Sequence, residues 1–230
     1  MQIGGSLGGL FNAIVLKRFG HHVRILERTP TALLHNQGAG IVFGGPAQEF
    51  FQKYDCTKSS IAITSYTRQY LNKSGDVVDS EDQEQQMTSW DLLYNVLRRG
   101  FDGGGEESYF PYLNNNGMRK VDESAKNDGI GEYLYGHKVT FLKDIGSDGV
   151  EVEFEDEDGK GGSLKANMVI GADGPSSTVR KILMPDVERT YAGYVAWRGT
   201  VLEGEVEEET RKCFAEKFTF FHSESLQILA

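Results

Sequence analysis

Gly4-Gly5-Ser6-Leu7-Gly8-Gly9-Leu10, entered from Met1-Gln2-Ile3, is the stretch that decides the fold. It aligns with the phosphate-cradling pattern G-x-G-x-x-G as Gly4, Ser6 and Gly9, with serine in the central slot. In such a turn the first glycine permits the tight bend and the second lets backbone approach a pyrophosphate. The third lets the following helix pack close to the sheet. Serine is small enough for the middle slot, and its hydroxyl can donate to phosphate. Leu7, Leu10, Ala13, Ile14 and Leu16 form an apolar stripe at helical spacing, and Gly20 is placed to end that helix. The helix N-terminus therefore faces the turn, where it favours an anion. A turn of this kind needs a parallel strand to feed it. Only about three residues precede it, against about five or six in an ordinary strand, so a chain cut short at this end is expected.

His22-Val23-Arg24-Ile25-Leu26-Glu27 reads as a strand that ends in a carboxylate. Glu27 follows Gly9 at close to the spacing of about 20 residues at which an acid accepts the hydroxyls of an adenosine ribose. An acid there disfavours a 2′-phosphate, so the turn is expected to hold the adenosine of FAD or NAD rather than NADP. Gly4, Gly5, Ser6, Gly9, Glu27 and the adjacent Arg28 are the candidate cofactor-binding residues of this segment.

The 230 residues suffice for one large domain or a domain and a half. With 39% hydrophobic and 25% charged residues the composition is that of a soluble globular protein. A net charge of −10 argues against nucleic acid, whose phosphates demand surplus lysine and arginine. Much of the acid sits in Glu151 to Asp158 and Glu203 to Glu209, read as solvated faces. Cys56 and Cys213 belong to no Cys-x-x-Cys pair and cannot build a disulfide framework. With no leader and no apolar run of about 18 residues, a cytoplasmic protein without a membrane span is expected. The histidines at 21, 22, 35, 137 and 222 show no metal-ligand spacing, and no metal site is expected.

Along the chain, residues 35–45 form a glycine-rich loop around a short apolar stretch, and a helix is expected over Pro46 to Tyr54. Ile61 to Asp79 reads as a hairpin turning at Asn72-Lys73-Ser74-Gly75. Ser89 caps a helix whose apolar face is Trp90, Leu93, Tyr94 and Leu97. Residues 100–130, with their Gly and Asn clusters, read as a long loop or insertion without regular structure. A second hairpin follows, with Val139 to Leu142 and Val150 to Phe154 as its arms. Leu164 to Ile170 is expected to be one further strand.

That strand delivers Gly171-Ala172-Asp173-Gly174-Pro175-Ser176-Ser177-Thr178-Val179-Arg180, again a strand, a glycine bend and a helix start. Asp173 is held among glycines beside an expected anion site, where it can accept from ribityl or ribose hydroxyls while backbone amides serve the phosphates. Asp173 and Gly174 join the candidates.

The chain resembles the FAD-dependent aromatic-ring monooxygenases of the para-hydroxybenzoate hydroxylase type, nearest to their 2,6-dihydroxypyridine 3-monooxygenase-like branch. The resemblance rests on Gly4-Gly5-Ser6-x-x-Gly9-Leu10 with Glu27, on Gly38-Ala39-Gly40-Ile41, and on Ser89-Trp90-Asp91-Leu92-Leu93-Tyr94-x-x-Leu97-Arg98. It continues through Gly171-Ala172-Asp173-Gly174 with Ser177, Val179 and Arg180, and through Tyr191 to Gly199. It implies an α/β fold: a Rossmann-like FAD-binding domain (1–45 and 88–185) interleaved with part of a mixed β-sheet substrate domain (46–87 and 186–230). It also implies that NAD(P)H reduces FAD and that O2 adds to give a flavin hydroperoxide, from which a small aromatic or heteroaromatic ring takes one oxygen. Gly4, Ser6, Gly9 and Glu27 would contact the ADP portion, and Asp173 the pyrophosphate and ribityl chain. Gly40 and Arg98 are further cofactor candidates by this resemblance. Trp90 stands where many relatives carry an arginine, and Arg98 is the nearest arginine on that helix; its other reading is a solvated helix-end cation.

A third motif of these enzymes, of the Gly-Asp-Ala-Ala-His type, has no counterpart, since Gly75-Asp76 falls in a hairpin turn. The chain stops in what reads as the middle of a strand begun near Phe218. It is therefore expected to be truncated at both ends, with weak FAD or adenine-nucleotide binding and exposed sheet edges. Two other readings stay open: an NAD-dependent reductase without flavin, and a non-catalytic nucleotide-binding remnant. Tyr66, Arg68, Tyr70 and Trp197 are candidates to line a ring pocket, and catalytic residues and oligomeric state are not read.

Overall fold

The structure, a computed structural model, describes residues 1–31, 40–54, 60–103 and 128–230. They form a mixed α/β protein in two compact units. The first draws on Met1–His35, Tyr54–Ser59 and Leu93–Ala196, the second on Asn36–Lys53, Ser60–Leu92 and Trp197–Ala230.

The first unit is built on a parallel sheet with β1 (Gln2–Ile3) at its centre. β1 pairs with β2 (Val23–Leu26) on one side and β10 (Ile170–Gly171) on the other, and β2 continues to β6 (Gly131–Leu134). Strand alternation assigns two faces. Ile3 and Leu26 turn to a core shared with Val139, Val152 and Val179. That core is supplied by an antiparallel meander of β7 (Lys138–Asp144), β8 (Val150–Glu155) and β9 (Gly161–Ala166). Gln2, Ile25 and Tyr133 are in register on the opposite face, which α1 (Leu7–Arg18) and α3 (Trp90–Asp102) cover. The expected stripe on α1 is buried at Leu10, Ala13 and Ile14, and Gly20 follows the helix end at φ +84°. Phe101 of α3 packs so closely on Gly131 that a Cβ there would lie 2.9 Å from its ring.

Gln2 is an anomaly in this core. It is wholly buried, and neither atom of its carboxamide has a hydrogen-bond partner among the described residues. An unsatisfied buried amide costs about 1–3 kcal/mol. Gln2→Met keeps the shape and removes the polar atoms, so it is expected to raise stability by about 1 kcal/mol, read as a higher urea midpoint at unchanged slope.

The second unit is a five-stranded sheet in the order β12-β11-β4-β5-β3. It comprises β3 (Gly40–Val42), β4 (Ile63–Leu71), β5 (Val77–Ser89), β11 (Lys217–His222) and β12 (Gln227–Leu229), with α2 (Gly45–Tyr54) and α5 (Glu208–Phe214). Gln69 and Thr219 are buried and joined, Gln69 Nε2 donating to Thr219 Oγ1 at 2.9 Å and to the Cys213 carbonyl at 2.7 Å.

Four expectations are corrected. Leu164 to Ile170 is not one strand: β9 ends at Ala166, and the chain leaves the antiparallel meander to enter the parallel sheet as β10. The strand begun near Phe218 ends at His222 and turns back as β12, because Ser223 N donates to the Leu226 carbonyl and closes a hairpin. The arm after Asn72–Gly75 runs on to Ser89, where Ser89 Oγ accepts from Leu92 N at 3.2 Å and starts α3. At the edges of the expected 100–130 loop, Phe101 and Asp102 belong to α3, and Gly129 N donates to the Lys17 carbonyl. The body of that loop, 104–127, lies outside the described residues, as do Gly38 and Ala39. No described helix is long and apolar enough to cross a membrane.

Candidate functional site: the Gly4–Gly9 turn

Each glycine of the turn answers a different local demand. Gly4 has φ +93°, a region that L side chains rarely adopt, and a Cβ there would meet the Ala172–Asp173 backbone at 2.7–2.8 Å. A Cβ on Gly5 would run into the Tyr133 ring, 2.7 Å from Cε2. On Gly9 it would strike the Gly4 carbonyl, with Gln2 Cγ at 3.6 Å. The third glycine thus lets the helix close on its own turn, with the strand residue Gln2 also within contact distance. Gly8 is exposed and its Cβ would meet nothing within 4 Å. The turn is closed from behind by backbone and Tyr133 and open at Gly8.

The helix start at this turn is not capped by its own N-cap side chain. Ser6 is the N-cap residue of α1, yet its side chain makes no capping hydrogen bond and the first turn holds no acidic residue. The first amides of a helix have no intrahelical acceptor, and the positive end of the dipole adds to them. A diphosphate would satisfy both.

Glu27 sits where its position after β2 places it. Its Oε2 accepts from Gly5 N at 2.8 Å and its Oε1 from Thr29 N at 2.9 Å. Each carboxylate oxygen keeps lone-pair capacity for a further donor. The sequence pairing of turn and acid is realised as a direct hydrogen bond. Arg28 is exposed beside it, and Gly40 lies in the second unit on β3.

The second glycine motif is organised differently. Gly174 has φ +75°, and α4 (Thr178–Leu183) is only six residues long. Asp173 Oδ2 accepts from Thr178 N at 2.6 Å and Val179 N at 3.2 Å, and Oδ1 from Ser177 Oγ at 2.5 Å. Ser177 Oγ accepts from Arg180 N at 2.9 Å. The amides expected to serve phosphates are taken by the motif's own side chains, so here the physics of the first turn is not repeated. Asp173→Ala is expected to cost about 1–2 kcal/mol by loss of this cap, and Asp173→Asn, which retains an acceptor, clearly less; urea unfolding reads both.

Arg98 is not a solvated cation. Its guanidinium lies 3.9 Å from the centroid of the Tyr133 ring, donates to Tyr135 Oη at 2.8 Å and pairs with Asp102 at 3.1 Å. Tyr133 Oη donates to the Gly5 carbonyl at 3.0 Å, and Tyr94 Oη lies 3.4 Å from it. Tyr94, Tyr133 and Tyr135 were not singled out from sequence as a group. The available signal was Gly5 itself, a glycine at a position the G-x-G-x-x-G pattern leaves free.

Burial, and secondarily Tyr94, pushes the Tyr133 hydroxyl far above the ordinary phenol range, and burial does the same to Tyr135. An unfolded tyrosine ionises near pH 10. The stability these neutral phenols contribute is therefore whole below pH 10 and drains as pH rises further. A titration followed at 295 nm is expected to show two tyrosines ionising only with alkaline unfolding.

A family model described as FAD binding domain-like matches residues 191–230. That stretch is distinct from the glycine turn; Tyr191 to Gly199 within it is exposed and free of helix or strand, with Trp197 93% exposed. The chain is similar to 2,6-dihydroxypyridine 3-monooxygenase of Paenarthrobacter nicotinovorans, 32% identical over 95% of this chain and 47% of that protein. It is 27% identical to aurachin C monooxygenase/isomerase of Stigmatella aurantiaca over 85% of this chain and 45% of that protein. The solved 2,6-dihydroxypyridine-3-hydroxylase from Arthrobacter nicotinovorans superposes with a TM-score of 0.71 at 30% identity, over 96% of this chain and 48% of that one. The chain thus spans about half the length of the relatives it matches.

Proposed function

We propose, on the premise of its homology to FAD-dependent aromatic hydroxylases, that this chain seats the ADP portion of FAD at Gly4–Gly9 and Glu27. The protein would be a monooxygenase that uses NAD(P)H and O2 to hydroxylate an aromatic or heteroaromatic ring. The observation that carries the cofactor reading is the uncapped N-terminus of α1 facing an open turn, with Glu27 hydrogen-bonded to that turn. When bound, FAD supplies the redox chemistry, accepting reducing equivalents from NAD(P)H and activating O2.

The chain's own residues would bind and orient. The free amides after Ser6 would donate to the diphosphate, with the Ser6 hydroxyl available as a further donor. Glu27 would accept from the adenosine ribose, and its charge would repel a 2′-phosphate. Arg28, exposed beside Glu27, would lie on the adenosine side. Asp173 and Gly174 would form the wall on which Gly4 rests, with Asp173 occupied as a cap. Arg98 would act through Tyr133 rather than on the cofactor. We assign the first unit to FAD binding and the second, with Gly40, Tyr66, Arg68 and Tyr70, to the ring-binding sheet.

The expected result is FAD-dependent oxidation of NADH or NADPH by the purified protein, accelerated by 2,6-dihydroxypyridine or another dihydroxylated ring, with 18O from O2 in the product. Oxidation of NADH that needs no FAD would instead favour a flavin-free reductase.

A further inference from the structure

We infer that Tyr133 is a positioning residue for the diphosphate: its hydroxyl fixes the Gly5–Ser6 peptide so that the Ser6 amide points into the anion seat. The inference rests on the nucleotide reading above and extends it to a residue outside the glycine motif.

Three observations converge on this peptide. Tyr133 Oη donates to the Gly5 carbonyl at 3.0 Å. In a trans peptide the carbonyl and the next N–H point in opposite directions, so anchoring Gly5 O on Tyr133 turns Ser6 N–H the other way. Among the described turn hydrogen bonds, none is donated by that amide. The preceding peptide is held as well, since Gly5 N donates to Glu27 Oε2 at 2.8 Å. Two consecutive peptides of the turn are thus clamped from β6 and from the end of β2. Gly5 is glycine because the Tyr133 ring occupies the space of its Cβ.

Tyr133 is itself held in place. Arg98 lies 3.9 Å from its ring centroid, and the guanidinium is fixed in turn by Tyr135 and Asp102. The Tyr133 and Tyr135 rings are 4.5 Å apart. Glycine-rich turns are conformationally permissive, and the entropy of ordering one on binding weakens affinity. A phenol that orders the turn beforehand lowers that cost without touching the ligand.

The test is ADP binding by calorimetry to the full chain, with Tyr133→Phe and Glu27→Ala as variants and thermal melting as the control for fold. Tyr133→Phe keeps the ring against Gly5 and deletes only the hydroxyl. It is expected to weaken ADP about five- to tenfold, the worth of one hydrogen bond, while folded secondary structure is kept. A Tyr133→Phe protein that melts lower yet binds ADP like the wild type would assign Tyr133 a purely structural role and overturn the inference. If Tyr133→Phe does not fold, hydrogen exchange at the Ser6 amide of the unmodified chain decides. Slowing by about tenfold or more with saturating ADP supports the inference, and unchanged exchange overturns it. Failure of the parent reading looks different: the unmodified chain would bind no ADP, or Glu27→Ala would bind as well as wild type, and both proposals would fall together.

Discussion

Gly4→Ala is expected to lower the melting temperature by about 10 °C. Two costs add. The φ of +93° is a conformation that alanine enters at a cost of about 1–3 kcal/mol. The new methyl would also lie 2.7 Å from the Ala172 carbonyl carbon and 2.8 Å from Asp173 Cα. Both are backbone atoms of the segment following β10, and β10 pairs with β1, so neither can yield without parting that edge strand from β1. Overpacking of this kind costs about 1–3 kcal/mol. In a chain of this size each kcal/mol moves the midpoint by about 2–4 °C. Gly8→Ala is the control, because a Cβ there meets nothing within 4 Å and alanine favours a helix by up to about 1 kcal/mol over glycine. Equal melting temperatures for Gly4→Ala and the parent would contradict the packing described here.

Glu27→Ala is expected to weaken FAD and ADP binding by about a hundredfold. Hydrogen bonds to a charged acceptor contribute about 1.5–3 kcal/mol each, and the proposed contacts to the ribose would be lost with the carboxylate. It would also release Gly5 N and Thr29 N, which it holds at 2.8 and 2.9 Å. The more specific signature is selectivity. The parent should prefer ADP to 2′-phospho-ADP, and Glu27→Ala should erase most of that preference because the repelling charge is gone. Calorimetric titration of both ligands reads the ratio. A variant that loses affinity but keeps full discrimination would remove Glu27 from the ribose.

Local signals carried much of this organisation. The Gly4–Gly9 turn, the stripe on α1, the stop at Gly20 and the acid at Glu27 all lie within one βαβ segment, where spacing alone sets geometry. Tyr133, and the contact Arg98 makes with it, escaped because they depend on β6 joining the parallel sheet beside β2, a pairing across more than a hundred residues that no periodicity encodes. Asp173 shows the opposite failure. Its strand–glycine–helix setting resembles the first turn in sequence, but Ser177 and the short α4 divert its carboxylate to capping. The break between β9 and β10 was hidden because the apolar pattern runs on while the chain changes sheets. The turn at Ser223–Leu226 was missed for lack of a glycine or proline to mark it.

Chemical-shift mapping of 15N-labelled protein during titration with ADP addresses the proposal that the diphosphate sits on the first turn and not the second. Saturable shifts are expected at Gly5, Ser6, Leu7, Gly8 and Gly9, with Thr178, Val179 and Arg180 unmoved because Asp173 and Ser177 already hold their amides. Shifts centred on Gly174 to Arg180, or no saturable shift at the Gly4–Gly9 turn, would contradict it.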